Sequence, residues 1–130
     1  MIPKFRAYFD RYERMIYSIG VVNENCILVD FNGDGDLETI FLTNDISLMQ
    51  STGLKDKKGN EIYEGDICAY YYGDVAEYCE VKWSDKYSTW MIEGDSDIEF
   101  LRDFARHISS EVIGNIYEDP ELLEEVEEWK

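Results

Sequence analysis

No apolar run in this 130-residue sequence is long enough to cross a membrane, since Cys26-Ile27-Leu28-Val29 is the longest without tyrosine and a spanning helix needs roughly 20 such residues. The amino terminus, Met1-Ile2-Pro3-Lys4-Phe5-Arg6, carries charges where a secretory leader needs its apolar segment, so a cytoplasmic protein is expected. Cysteine is scarce. Three residues (Cys26, Cys68, Cys79) with no CxxC exclude a disulfide framework read from spacing. Basic residues are few as well, 12 against 29 acidic, for a formal charge of −17. Such a chain repels phosphate backbones, and direct nucleic-acid binding is not expected. Neither the G-x-x-x-x-G-K-[ST] phosphate loop nor the G-x-G-x-x-G fingerprint occurs. The single histidine, His107, stands in no H-E-x-x-H or Cys/His zinc spacing, and no Ser or Cys sits in a nucleophile motif. No catalytic, cofactor-binding or metal-binding residues are therefore assigned.

What is present is apolar and aromatic: hydrophobic residues make up 45% of the chain and aromatics 15%, enough to bury a core. The pattern is mainly β. Phe5, Ala7 and Phe9 alternate with Arg6 and Tyr8, the period of a half-buried strand. A polar turn, Asp10–Arg14, leads to a returning strand over Met15–Val22. Cys26–Phe31 and Leu37–Leu42 form a second pair around Asn32-Gly33-Asp34-Gly35-Asp36, where glycine adopts positive φ without steric cost. Ile46–Met49 is too short for more than a helical turn, and Thr52–Ile62 reads as a charged excursion. Strands follow at Ile67–Tyr72, Ala76–Trp83 and Thr89–Glu93; segments so short and close suggest a small barrel. A helix capped by Ser96 or Asp97 and running to Ile108 places Ile98, Leu101, Phe104, Ala105 and Ile108 on one face. Val112–Tyr117 is again a strand, and Asp119-Pro120 opens an acidic terminal helix to Trp129. The expected organisation is one domain, 1–130, with an N-terminal β region at 1–50, a barrel-like region with an inserted helix at 51–117, and the acidic helix at 118–130.

The Gly73-Asp74 dipeptide makes a testable register. If it is a two-residue turn, Tyr72 closes on Val75 and Cys68 faces Cys79 across the strands. That falls at a hydrogen-bonded pair, with Cα atoms roughly 5.5 Å apart. In a reducing cytoplasm the expectation is free, buried thiols.

Several constellations invite chemistry. Asp30-Phe31-Asn32-Gly33-Asp34-Gly35 matches the first half of a calcium loop, but the twelfth position is Phe41 where a bidentate glutamate is needed. A solvated hairpin turn is the better account. His107 lies at a helix end and interacts with its carboxyl terminus or with solvent. Tyr70, Tyr71 and Tyr72 could stack bases, yet Asp66, Asp74, Glu77 and Glu80 surround them, and hairpin packing is expected instead. Lys55, Lys57 and Lys58 flank Asp56 in an exposed loop.

Four stretches carry a family resemblance: Lys4–Ala7, the specific run Leu48-Met49-Gln50-Ser51-Thr52-Gly53-Leu54-Lys55-Asp56-Lys57-Lys58-Gly59-Asn60-Glu61-Ile62-Tyr63-Glu64-Gly65-Asp66-Ile67, then Val81-Lys82-Trp83, and Glu111–Leu123. In order and nearly end to end, they resemble the YopX-like proteins encoded by bacteriophages and prophages. The resemblance implies an SH3-type barrel in the central part and transfers no catalytic residues. The favoured expectation is a non-enzymatic domain that forms a homo-oligomer or binds a host or phage protein. The alternatives are an acidic decoy that imitates DNA and a metal-dependent enzyme.

Overall fold

A computed structural model describes residues 3–94, 98–107 and 110–123. The chain divides into two compact units, Met1–Ser51 and Thr52–Lys130.

The first unit is a meander. Strands β1 (Phe5–Phe9), β2 (Arg14–Asn23), β3 (Cys26–Val29) and β4 (Glu38–Phe41) pair antiparallel in succession. The turn between β1 and β2 is a short 3-10 helix, Asp10–Tyr12, left through Glu13 at φ 50°. Both hairpins lie where period-two patterning places them. Strand β5 (Ile46–Lys55) corrects the expectation of a single helical turn at Ile46–Met49. Its first half pairs antiparallel with β1, from Phe9↔Ile46 to Phe5↔Gln50, giving the order β4-β3-β2-β1-β5. The partner is some forty positions back along the chain, and inspection of residues 46–49 alone does not reveal it. Ala7, Phe9, Ile16, Ile27 and Val29 form the core of this unit. Arg6 is buried too, against the alternation; its Nε donates to Met49 Sδ at 3.3 Å and its guanidinium lies over the Tyr17 ring.

In the second unit the end of β5 lies beside β6 (Glu61–Tyr63), a strand missed within the charged excursion. The main sheet comprises β7 (Asp66–Tyr72), β8 (Val75–Ser84), β9 (Thr89–Glu93), β10 (Ile98–Phe100) and β11 (Glu111–Asn115), in the order β10-β9-β8-β7-β11. Gly73-Asp74 is the two-residue turn, Tyr72 pairs with Val75, and Cys68 faces Cys79 as the register requires. All three cysteines are free and buried. Burial pushes the Cys68 thiol well above its ordinary pKa, with Asp66 and Cys79 adding to the rise.

The helix expected from Ser96 or Asp97 to Ile108 is shorter. Residues 95–97 and 108–109 lie outside the described residues. Ile98–Phe100 pair with Glu93–Met91 as β10, and α1 occupies only Leu101–Ala105. Three ladder partners on β9 outweigh one further helical turn. Leu101, Phe104 and Ala105 pack into the core with Ile62, Cys68, Cys79, Val81 and Ile92.

The chain is thus mainly β, built as two antiparallel sheets. Among the described strands no pairing closes either sheet, so the small SH3-type barrel is not found. The reason is α1: an apolar face covered by Leu101 and Phe104 is removed from water without the strands curling upon themselves. Of the acidic terminal helix, Glu121–Leu123 are helical after Pro120, and residues 124–130, including Trp129, lie outside the described residues.

Candidate functional site

Each feature singled out in the sequence has a place. The Asp30 carboxylate is turned onto its own loop, where it accepts the backbone N–H groups of Gly33 at 2.8 Å, Asp34 at 3.2 Å and Gly35 at 3.0 Å. Asp34 Oδ1 likewise accepts from Asp36 N. These oxygens serve the hairpin. Among the described residues no group of three or more His, Cys, Asp or Glu side chains is placed to hold a metal ion. His107 is exposed just beyond α1, its N–H bonded to the Phe104 carbonyl. Tyr71 is exposed on β7; the side chains of Tyr70 and Tyr72 lie outside the described residues. Lys58 pairs with Glu111 at 2.7 Å, and that hydrogen bond raises its pKa. No described helix is long and apolar enough to cross a membrane.

The residues that carried the family resemblance assemble into a backbone-holding network in the second unit. Asp56 is 5% exposed. It accepts from Lys58 N, Asn60 N and Asn60 Nδ2, and from Val112 N at 2.9 Å across 56 positions of sequence. Burial acts to raise its pKa, but these hydrogen bonds outweigh that and hold it below the ordinary carboxylate value. Asp66 accepts Tyr63 N at 2.7 Å, while Gly65 N donates to the Val81 carbonyl. Asn115 Oδ1 accepts Tyr117 N and Glu118 N, and Asp119 Oδ2 accepts Asn115 N. A Cβ on Gly114 would sit 2.6 Å from that same Asp119 oxygen, so only glycine fits without displacing the bonded carboxylate. This part of the signature builds structure.

An open feature lies in the first unit. A cleft of about 580 Å³ is walled by Phe9, Tyr12, Phe31 and Phe41, with Ile40 and Ile46 contributing apolar surface. Its polar rim is Arg11, Glu38, Thr43, Asn44 and Asp45. Phe9 and Phe31 are tilted with centroids 5.2 Å apart, and Tyr12 stands edge-on to Phe31 at 6.3 Å. The Arg14 guanidinium bonds the Phe31 carbonyl and so fixes the ring's backbone. The Asp45 carboxyl is held below its ordinary pKa by the Thr43 hydroxyl first, with the charge of Arg11 contributing. Strand β4 brings Glu38 and Ile40 to the cleft on the face shared with buried Val29 and Ile27, their register partners. Sequence reasoning missed this cleft because its aromatics come from a turn, a loop and the ends of two strands. The one local signal was Tyr12 standing within an otherwise charged turn.

These features define a class: an antiparallel two-sheet protein with carboxylate-held loops and an open aromatic cleft. The chain belongs to the YopX protein family, which it matches over residues 4–124. It is similar to the crystal structure of protein EF1440 from Enterococcus faecalis, with 30% sequence identity and a TM-score of 0.69, covering 95% of this chain and 99% of that one. It also shares its fold with protein yopX from Bacillus subtilis, at 21% identity and a TM-score of 0.65 over 92% of this chain and 97% of that one. No curated protein matches the chain. Neither structural relative is named for an activity.

Proposed function

We propose that this is a non-enzymatic interaction domain of phage or prophage origin, acting in the bacterial cytoplasm by self-association or by docking on a host or phage protein. The observation that carries the reading is the aromatic cleft of the first unit. Phe41 is 70% exposed and Tyr12 61%, around a concavity already walled by Phe9 and Phe31. Aromatic side chains beside a polar rim are the composition of protein-recognition surfaces, where a few large rings supply most of the binding energy. Solution mass by size-exclusion chromatography with light scattering, at low and high salt, tests self-association, and a pull-down with the tagged protein tests docking. An oligomer, or a partner whose capture is lost with Phe41→Ser, is the expected result. A monomer that captures nothing overturns the proposal.

A further inference from the structure

The cleft and a sheet edge meet. β4 is the last strand of the first unit's sheet, paired on one side with β3. An edge strand presents backbone donors and acceptors to any extended chain that approaches it. In an antiparallel pair, residues directly opposite one another point to the same face. A chain added to β4 opposite Glu38 and Ile40 therefore projects every second side chain onto the cleft that those residues line. The chemistry of that cleft is apolar and aromatic along its wall and acidic at its mouth. Arg11 acts on Asp45, so their charges offset. The exposed Glu38 carboxylate has no ion-pair partner among the described residues. A long aliphatic stem ending in a cation meets all of this, lying along the rings and reaching Glu38.

We infer that β4 is a docking edge that takes an extended basic segment of a partner protein as an added strand, with an alternate lysine or arginine side chain laid in the aromatic cleft and its charge at Glu38. Charge complementarity selects this occupant. The chain carries −17 overall, which draws a basic segment in and repels a second copy bearing the same Glu38. The inference rests on the interaction reading above and names its surface and partner chemistry.

The probe is a six-residue peptide alternating lysine and threonine with blocked termini, titrated into the intact protein and followed by amide chemical shifts. Binding is expected to perturb the residues of β4, Tyr12 and Thr43–Ile46. Glu38→Lys is expected to weaken it by about tenfold or more, whereas Asp34→Lys, the same charge change on the neighbouring loop, leaves it within about twofold. Methylating every backbone nitrogen of the peptide keeps its charge, removes its ladder donors and is expected to abolish binding. Equal binding of the methylated peptide, or equal effects of the two lysine variants, overturns the inference in favour of diffuse attraction to an acidic chain. A dimer whose β4 amides are already protected from exchange overturns it in favour of a second copy. Absence of peptide binding at millimolar concentration also overturns it. Should light scattering or the pull-down still find an association, only the β4 assignment falls; should they find none, the interaction reading falls with it.

Discussion

The two units differ in how far their loop-holding ties reach. In the first, the loops after β2 and β3 are closed by a side chain from within them: Asp30 holds Gly33–Gly35, and Asn23 Oδ1 accepts from Asn25 and Cys26. In the second, local ties such as those of Asp56 to Lys58 and Asn60 are joined by ties to residues remote in sequence. Asp56 takes the N–H of Val112, and Ser110 Oγ takes that of Lys57 at 3.2 Å. Charge divides unevenly too, with four basic against eight acidic residues up to Ser51 and eight against twenty-one beyond it. Large apolar side chains are left exposed around the first unit's cleft, while the family signature concentrates in the second unit's ties. One region is built for internal closure and the other for an open face, and these are separable by mutation.

The largest effect that would break the contrast is expected from Phe104→Ala. Phe104 is 1% exposed in the second unit's core, and truncation costs about 3–5 kcal/mol through lost burial and the cavity left behind. Chemical denaturation reads the loss, and hydrogen exchange is expected to show it in β7–β9 with β1–β3 still protected. Uniform loss of protection would show that the units do not open separately.

Asp56→Ala comes next, at about 3 kcal/mol, because four part-buried N–H donors lose their acceptor at once. The same group sets a pH signature. Its folded pKa lies below the ordinary value of about 3.9, so the unfolded chain binds the proton first on acidification. The stability it contributes is present above the unfolded pKa and is lost as pH falls through the lower, folded one. Acid titration of wild type against Asp56→Asn checks this: the variant's stability is expected to fall less over that window.

The smallest expected change has the opposite sign. Glu80 faces Glu93 across β8 and β9; burial first, then Glu93 and Glu64, raise its pKa against the lowering effect of Lys82. Its charged form is the disfavoured one, so the folded state loses ground as pH rises through that raised pKa. Glu80→Gln is expected to add about 0.5 kcal/mol near neutral pH, since like charges directly opposite destabilise a pair. A thermal melt at neutral and at acid pH, with the gain absent in acid, sharpens the distinction between acids that hold loops and acids that only crowd.

How much of this the sequence discloses depends on separation along the chain. The β7–β8 register, down to Cys68 opposite Cys79, follows from two turn residues and simple counting. The hairpins around Asp10–Tyr12 and Gly33–Gly35 follow from alternation and turn composition. β5 was misread because Ile46–Met49 are strand only by virtue of Phe5–Phe9. α1 lost its first turn because Ile98–Phe100 found partners on β9, and the barrel expectation failed because that short helix covers the apolar face. The role of Asp56 was half legible: Gly59 and Asn60 beside it mark a turn, but nothing nearby points to Val112. The cleft was illegible for the same reason, its walls drawn from Phe9, Phe31 and Phe41.

The Asp56–Val112 tie also has a consequence for synthesis. A ribosome delivers residue 56 well before residue 112, and β7 waits for β11 over the same interval. During that time an acidic side chain destined for burial stays in water, and one edge of β7 stays open. In the first unit β1 waits for β5 over some forty positions, while its other pairings join consecutive strands. The nascent protein therefore exposes a nearly finished meander while its second sheet is still incomplete, and the step that completes it is the arrival of Glu111–Asn115.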